Sequence, residues 1–145
     1  MFVGVHCNTK LGIMLMQIDV HSHAESDIDK IWLKDPDAAA DVIATLEQLR
    51  VDANLIDKLT THGDNMAGPV RLNVKRWERM RNLKGGDLWR FRMLDTYATS
   101  YRVVYGYRYQ TRQICILAVV HKNEFDYDEP SHPLAKRIAA DWSSL

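Results

Sequence analysis

The apolar and polar positions in the first third of the chain predict a strand followed by helices. The apolar run from Ile13 to Val20 predicts a strand of about six to eight residues. His21-Ser22-His23 predicts a turn, and Glu25 to Leu33 predicts a short amphipathic helix. Asp35-Pro36 predicts the start of a longer helix, because aspartate can cap free amides and proline suits the first helical position.

A second helical piece and an ambiguous stretch come next. Asp52 is expected to cap the helical piece, and Gly63 is expected to end it, because glycine commonly follows a helix. Residues 70–83 fit two structures. Their first apolar residues alternate with polar ones as in a strand, whereas Val74 and Trp77 stand at helical spacing. The sequence leaves both structures open.

The second half of the chain predicts a sheet followed by a helix. Three segments rich in aromatic and β-branched residues predict strands: Leu88–Leu94, Tyr101–Tyr107 and Gln113–Val120. Leu134 to Trp142 is amphipathic and predicts a final helix. The predicted class is α+β, with N-terminal helices packed on one face of a small, mainly antiparallel, curved sheet. We expect a single domain over residues 1–145.

Composition narrows the class of protein. The chain has 145 residues, of which 46% are hydrophobic and 26% charged, as in an ordinary globular domain. No apolar run approaches the roughly 20 residues of a membrane helix, so we expect no membrane association. Cys7 and Cys115 are too few for a disulfide framework, which favours reduced thiols in a cytoplasmic protein. His21 and His23 lack a third ligand at a useful spacing, so no metal site is expected.

The charges are strongly segregated along the chain, although the net charge is zero. Residues 1–69 hold five basic and eleven acidic side chains, which gives a net charge of −6. Residues 70–112 hold eleven basic and three acidic side chains, which gives +8. Segregation on this scale favours an anionic partner for one face of the domain. The alternative is internal pairing between acidic helices and a basic sheet.

Three motifs in the predicted strands resemble those of the RelE/ParE toxin superfamily. Leu88-Trp89-Arg90-Phe91-Arg92 is similar to a basic strand of the family, and Tyr101-Arg102-Val103-Val104-Tyr105 to its Tyr-Arg-hydrophobic-hydrophobic-Tyr strand. Ile116 to Lys122 is similar to the strand that ends in a histidine and a basic residue, and Tyr127 stands near the tyrosine that follows it. The resemblance covers roughly the last 60 residues, with a helical pair before it as in the family.

The resemblance implies the toxin of a type II toxin-antitoxin pair, an endoribonuclease that cleaves messenger RNA, usually on the ribosome, and so inhibits translation. In that reaction the ribose 2′-hydroxyl attacks the adjacent phosphorus, so the nucleophile belongs to the RNA and neither a cofactor nor a metal is expected. The implied partner is a cognate antitoxin of the helix-turn-helix kind. Two alternatives stay open, since one fold supports several functions: a non-catalytic DNA gyrase poison like ParE, and an inactive prophage remnant.

The resemblance also names a candidate site. Arg102 is expected to stabilise the phosphate through its guanidinium fork, helped by Arg92. His121 is expected to transfer protons, since histidine titrates near neutral pH, and Tyr127 to donate a proton or to stack on a base. The expected catalytic residues are Arg102, His121, Tyr127 and Arg92; the expected RNA-binding residues are Arg90, Lys122, Trp89 and Arg81. The nuclease hypothesis requires the catalytic groups to converge on one open patch.

Overall fold

The computed structural model describes residues 17–78, 86–129 and 131–145. Their helices and strands, in chain order, are β1 (Ile18–Val20), α1 (Ser22–Lys34), α2 (Pro36–Arg50), α3 (Leu55–Leu59), β2 (Gly63–Asn65), β3 (Leu72–Arg76), β4 (Gly86–Met93), β5 (Tyr101–Arg108), β6 (Gln113–His121) and α4 (Pro133–Ser143). The strands form one sheet in the order β1-β6-β5-β4-β3-β2. β1 runs parallel to β6, and the other neighbouring strands are antiparallel. The α+β class is therefore confirmed, with a mixed sheet.

Apolar residues line both faces of this sheet. Trp89, Phe91 and Met93 of β4 belong to the core formed with α1, α2 and α3, as the alternation in the sequence predicted. We call this side the three-helix face. Leu88 of β4 and Val104 of β5 point to the other side, where they pack with residues of α4; we call it the α4 face. The three N-terminal helices thus share one face, whereas the C-terminal helix α4, which has its own apolar stripe, packs on the other.

A glycine in β5 makes room for α4. The indole of Trp142 is only 1% exposed and lies directly over Gly106. A Cβ at this glycine would stand 2.5 Å from Cζ3 of the indole, closer than real Cβ contacts allow. The guanidinium of Arg108 lies 4.9 Å from the centre of the same ring. The missing side chain therefore determines how closely α4 approaches the sheet.

The β5–β6 ladder contains a bulge. The pairing shifts register between Val104 and Tyr105, so that Leu117 of β6 has no partner in the ladder. Leu117 and Ala118 both pack on the α4 face, which reverses the alternation in the rest of β6. Arg137 of α4 donates to the carbonyl of Leu117 at 3.2 Å, and helps to satisfy the backbone at the bulge.

α1 begins earlier than the sequence predicted. Ser22 and His23 are helical, and the Nδ1 of His21 accepts a hydrogen bond from the amide of His23 at 3.0 Å. His21 therefore caps the helix, and the predicted turn over these three residues is wrong. α2 begins directly after Asp35, as predicted, and the Asp35 carboxylate accepts from the amide of Ala38 at 3.2 Å.

Two polar stretches also differ from the sequence predictions. Asp52 does not cap α3; it accepts from the amide of Asn54 and from the ammonium of Lys58, both at 2.8 Å. Residues 63–65, expected only to end a helix, form β2. The ambiguous stretch forms a strand over residues 72–76.

The first predicted strand is described only from residue 17, and β1 occupies Ile18–Val20. Residues 13–16 of that prediction, and 79–83 of the ambiguous stretch, lie outside the described residues. Among the helices that the structure describes, none has the length and apolar character needed to cross a membrane.

Candidate functional site

Three arginines lie together on the α4 face. Arg90 and Arg92 stand two residues apart on β4, so both side chains point to the same side. Arg90 pairs with Val104, and continuing this antiparallel register places Arg92 opposite Arg102 of β5. Like charges directly across a ladder destabilise a sheet unless something offsets them. We call Arg90, Arg92 and Arg102 the arginine patch.

The hydrogen bonds of the arginine patch go to neutral groups. Arg90 donates to the side-chain oxygen of Asn73 at 3.2 Å. Arg102 donates to the backbone carbonyls of residues 99 and 101, at 2.8 and 3.2 Å. The Nε of Arg92 is buried and has no hydrogen-bond partner among the described residues. Within the described ranges, no carboxylate lies at ion-pair distance from any of the three. The positive charge is therefore not offset by a direct ion pair in this part of the chain.

Tyr127 brings a hydroxyl group to the same place. Its ring packs edge-on against Trp77, with 5.3 Å between ring centres, and the indole NH of Trp77 donates to the backbone carbonyl of Tyr127 at 3.0 Å. The Tyr127 hydroxyl is buried and has no hydrogen-bond partner among the described residues. Burial raises the pKa of Tyr127 to about 12, although the nearby charges of Arg90 and Arg102 act in the opposite direction. The phenol is therefore protonated at neutral pH and can donate a hydrogen bond.

Burial and mutual repulsion affect the arginines themselves. Burial lowers the pKa of Arg102 below its ordinary value, and the charge of Arg92 lowers it further. Burial also lowers the pKa of Arg90, with Tyr127 acting against this effect and the other two guanidinium groups adding to it. Arg90 and Arg102 remain cationic at neutral pH. An anion placed between the guanidinium groups would relieve the part of these shifts that mutual repulsion causes.

A cleft of about 310 Å³ extends the arginine patch towards the edge of the sheet. It is lined by Arg90 and Tyr127, by Lys75 and Arg76 of β3, and by two acidic residues, Glu78 and Asp128. Sequence reasoning missed these β3 residues, because it left their segment open between strand and helix. The alternation of Leu72 and Val74 with polar residues was the signal that could have found them.

His121 lies on the opposite face of the sheet. It pairs with Tyr101, whose ring packs in the three-helix core and meets the imidazole edge-on at 5.2 Å. Arg102 pairs with Val120 and so points to the other side. The Nδ1 of His121 also accepts from the amide of Asn123 at 3.1 Å. The imidazole therefore does not converge with Arg102 and the phenol, contrary to the expectation from the sequence.

The other candidate residues have three different outcomes. Trp89 is only 4% exposed and packs in the three-helix core, so its ring is not available to stack on a base beside the arginine patch. Lys122 is exposed in the turn after β6, and its amide donates to the carbonyl of Ser100 at 2.8 Å. Arg81 lies outside the described residues.

Comparison with known proteins returned no family model, no curated protein and no solved structure that matches this chain. The interpretation of the site therefore depends on its geometry and on the motifs in the strands.

Proposed function

We propose that this protein is a cytoplasmic toxin of the RelE/ParE type that binds RNA through the arginine patch and cleaves messenger RNA, on the ribosome, without a metal or a cofactor. One observation carries the proposal. Three guanidinium groups without a carboxylate partner in the described chain share one face of the sheet, and two of them, Arg90 and Arg102, act on a phenol whose buried hydroxyl also lacks a hydrogen-bond partner there. Such a place fits a phosphodiester, since its oxygens accept hydrogen bonds and its charge offsets the arginines.

The proposed reaction assigns the protein two duties at the phosphate. The 2′-hydroxyl loses its proton to water as its oxygen forms a bond to phosphorus, and the bond from phosphorus to the 5′-oxygen breaks as that oxygen takes a proton from water. Arg92 and Arg102, opposite each other on neighbouring strands, stabilise the additional negative charge on the phosphate. A donor aimed at such a charge contributes about 10²- to 10³-fold in rate. Tyr127, protonated beside them, donates a hydrogen bond to a phosphate oxygen or to the departing 5′-oxygen. His121 lies on the other face and has no part in this reaction, so the convergence of all the catalytic groups that the sequence led us to expect is not met, and the proposed cleavage depends on the arginines and Tyr127 alone.

Induced expression in bacteria tests the proposal. Wild type is expected to arrest growth and to yield cleaved transcripts, and Arg102→Ala is expected to do neither at the same protein level. Arg71→Ala is the matched control, because Arg71 is an exposed arginine paired with Asp95 at 3.3 Å and lines a different cleft, next to residues of α2. His121→Ala is expected to remain toxic. If Arg102→Ala cleaves transcripts as well as Arg71→Ala does, the proposed role of the arginine patch is wrong.

The position of His121 favours a second candidate, a non-catalytic poison of the ParE type that binds DNA gyrase. A poison needs a binding surface and no proton-transfer group, and the arginine patch alone provides such a surface. This candidate predicts induced DNA damage with intact transcripts, and the same dependence on Arg102. An inactive remnant of the fold would leave both growth and transcripts unaffected.

Both toxin proposals require a cognate antitoxin that neutralises the protein. A segment rich in acidic residues laid across the arginine patch would offset its charge, as acidic motifs do on other arginine clusters. Co-expression of the full chain with the product of a neighbouring short reading frame, followed by purification of the complex, tests this expectation. Arg102→Ala is expected to weaken that complex, whereas Arg71→Ala is expected to leave it unchanged.

A further inference from the structure

Two histidines and an aspartate meet where α1 and α4 approach each other. His21 and His23 lie at the first turn of α1, and Asp141 lies in the last turn of α4. One potential ligand atom from each residue lies within 4.8 Å of the other two. The sequence reasoning rejected a metal here because the histidine pair had no third ligand nearby in the chain. The fold supplies that ligand from a residue 118 positions away from His23.

The three side chains are arranged as ligands of a metal ion would be, but His23 and Asp141 share a hydrogen bond in its place. The Nδ1 of His23 lies 2.7 Å from Oδ2 of Asp141, and the Nδ1 of His21 lies 3.7 Å from the same oxygen. Ligand atoms around tetrahedral Zn²⁺ are about 3.4 Å apart, given bonds of about 2.0–2.1 Å. The Nδ1 of His21 already accepts from the amide of His23, so its Nε2 is the nitrogen free to bind. Binding therefore requires rearrangement of these side chains and release of the hydrogen bond between His23 and Asp141, from a starting point in which one ligand atom of each residue lies within 4.8 Å of the others.

The surrounding charges permit a cation at this point. Asp141 is 8% exposed, and its carboxylate stands near the C-terminus of α4, where the helix dipole disfavours negative charge. The N-terminus of α1 disfavours a cation by a similar amount, so the two helix ends largely cancel. Arg137 is the nearest competing cation, with its Nε 3.9 Å from Asp141. Its two terminal nitrogens donate to the carboxylate of Asp27 at 3.1 and 2.8 Å, which offsets its charge.

We propose that His21, His23 and Asp141 bind a divalent transition-metal ion of the Zn²⁺ type, with water in the remaining position. Two nitrogens and one carboxylate oxygen form a ligand set that zinc accepts, and sites with three protein ligands keep a position open. The side chain of His23 is 51% exposed, which gives the ion a path from solvent. The ion would add a link between the start of α1 and the end of α4, beside the ion pair that Arg137 already forms with Asp27. The site is separate from the arginine patch and does not depend on the proposed function.

Metal titration of the purified full chain tests the site. Calorimetry with Zn²⁺, and the visible absorption of added Co²⁺, are expected to show one ion bound per chain. His23→Ala and Asp141→Asn are each expected to weaken binding by more than the roughly 10- to 100-fold that follows loss of an outer-shell partner. His62→Ala is the matched control, because His62 is an exposed histidine that contributes nothing to the cluster. This control is expected to bind as wild type does.

A second measurement separates metal binding from folding. Zn²⁺ is expected to raise the melting temperature of wild type and of His62→Ala, because an ion bound to the folded state stabilises it. It is expected to leave that of His23→Ala unchanged; this exposed residue can be replaced without opening the core. The proposal is overturned by failure of wild type to bind one ion, by undiminished binding in either cluster variant, or by equal loss in His62→Ala.

Discussion

Gly106→Ala is expected to destabilise the protein by forcing α4 away from the sheet. The new Cβ would lie 2.5 Å from one atom of the Trp142 ring and 2.7 Å from two others. The ring is only 1% exposed, and the Arg108 guanidinium stands 4.9 Å from its centre, so it has little room to move. Overpacking of this kind typically costs about 1–3 kcal/mol. Alanine in place of glycine within a strand would otherwise stabilise by about 0.5–1 kcal/mol.

The steric cost therefore exceeds the backbone gain, and we expect a net loss of about 1 kcal/mol in the free energy of unfolding. Urea unfolding followed by circular dichroism measures this loss, as a lower midpoint at an unchanged slope. In a chain of this length the melting temperature should fall by roughly 2–4 °C. The direction follows from one contact, between a strand glycine and a buried indole, and so it tests the position of α4.

A double-mutant cycle separates the clash from other effects of the alanine. Trp142→Leu is expected to destabilise the protein by itself, because it removes a buried ring. In that background Gly106→Ala should cost much less than in wild type, since a smaller side chain leaves space for the Cβ. Equal costs in the two backgrounds would mean that the indole does not lie over the glycine. A wild-type or higher stability of Gly106→Ala would refute the reasoning directly.

Three further predictions concern charged and polar groups. Lys58→Met removes the hydrogen bond that lowers the pKa of Asp52, so this variant is expected to be less stable than wild type at neutral pH. The stabilisation that depends on ionised Asp52 is present above the ordinary aspartate pKa and is lost as the pH falls through the lowered value. The difference in free energy of unfolding between wild type and Lys58→Met, measured by urea unfolding, should therefore shrink below about pH 4. Tyr127→Phe should raise the free energy of unfolding by about 1 kcal/mol, because it removes a buried hydroxyl that has no hydrogen-bond partner among the described residues. The same variant should cleave transcripts less than wild type does. A loss of stability together with full cleavage would contradict both expectations. RNA affinity is expected to fall as the salt concentration rises, and Arg102→Ala should make this dependence shallower. The slope of the logarithm of affinity against the logarithm of salt concentration should decrease in size by about 0.7 for each phosphate that this arginine neutralises. Filter-binding titrations measure the slope, and an unchanged value would mean that the RNA binds elsewhere.

The sequence predicted best those features that depend on neighbouring residues. The alternation of Trp89, Phe91 and Met93 identified the buried side of β4, because side chains on a strand repeat every second residue. Asp35 before a proline identified the start of α2, because a cap is a local hydrogen bond. β2 was missed, since its three polar residues carry no apolar period and are held by pairing with β3.

His121 departs from its expected position in the candidate site for a physical reason that the sequence does not display. Ile116 points to the three-helix face, and strict alternation from there would place His121 on the α4 face beside Arg102. The bulge at Leu117 adds one residue to β6 and reverses the alternation, so His121 points the other way. A bulge depends on the register of the partner strand, which a reading of β6 alone cannot supply. The site was therefore predictable for its arginines and not for its histidine.

The outer strand β2 has only three residues, Gly63–Asn65. An edge this short offers few free amides and carbonyls to an incoming chain, so it resists the strand-to-strand polymerisation that long edges invite. Filament formation through this edge at high concentration should accordingly require unfolding of the domain.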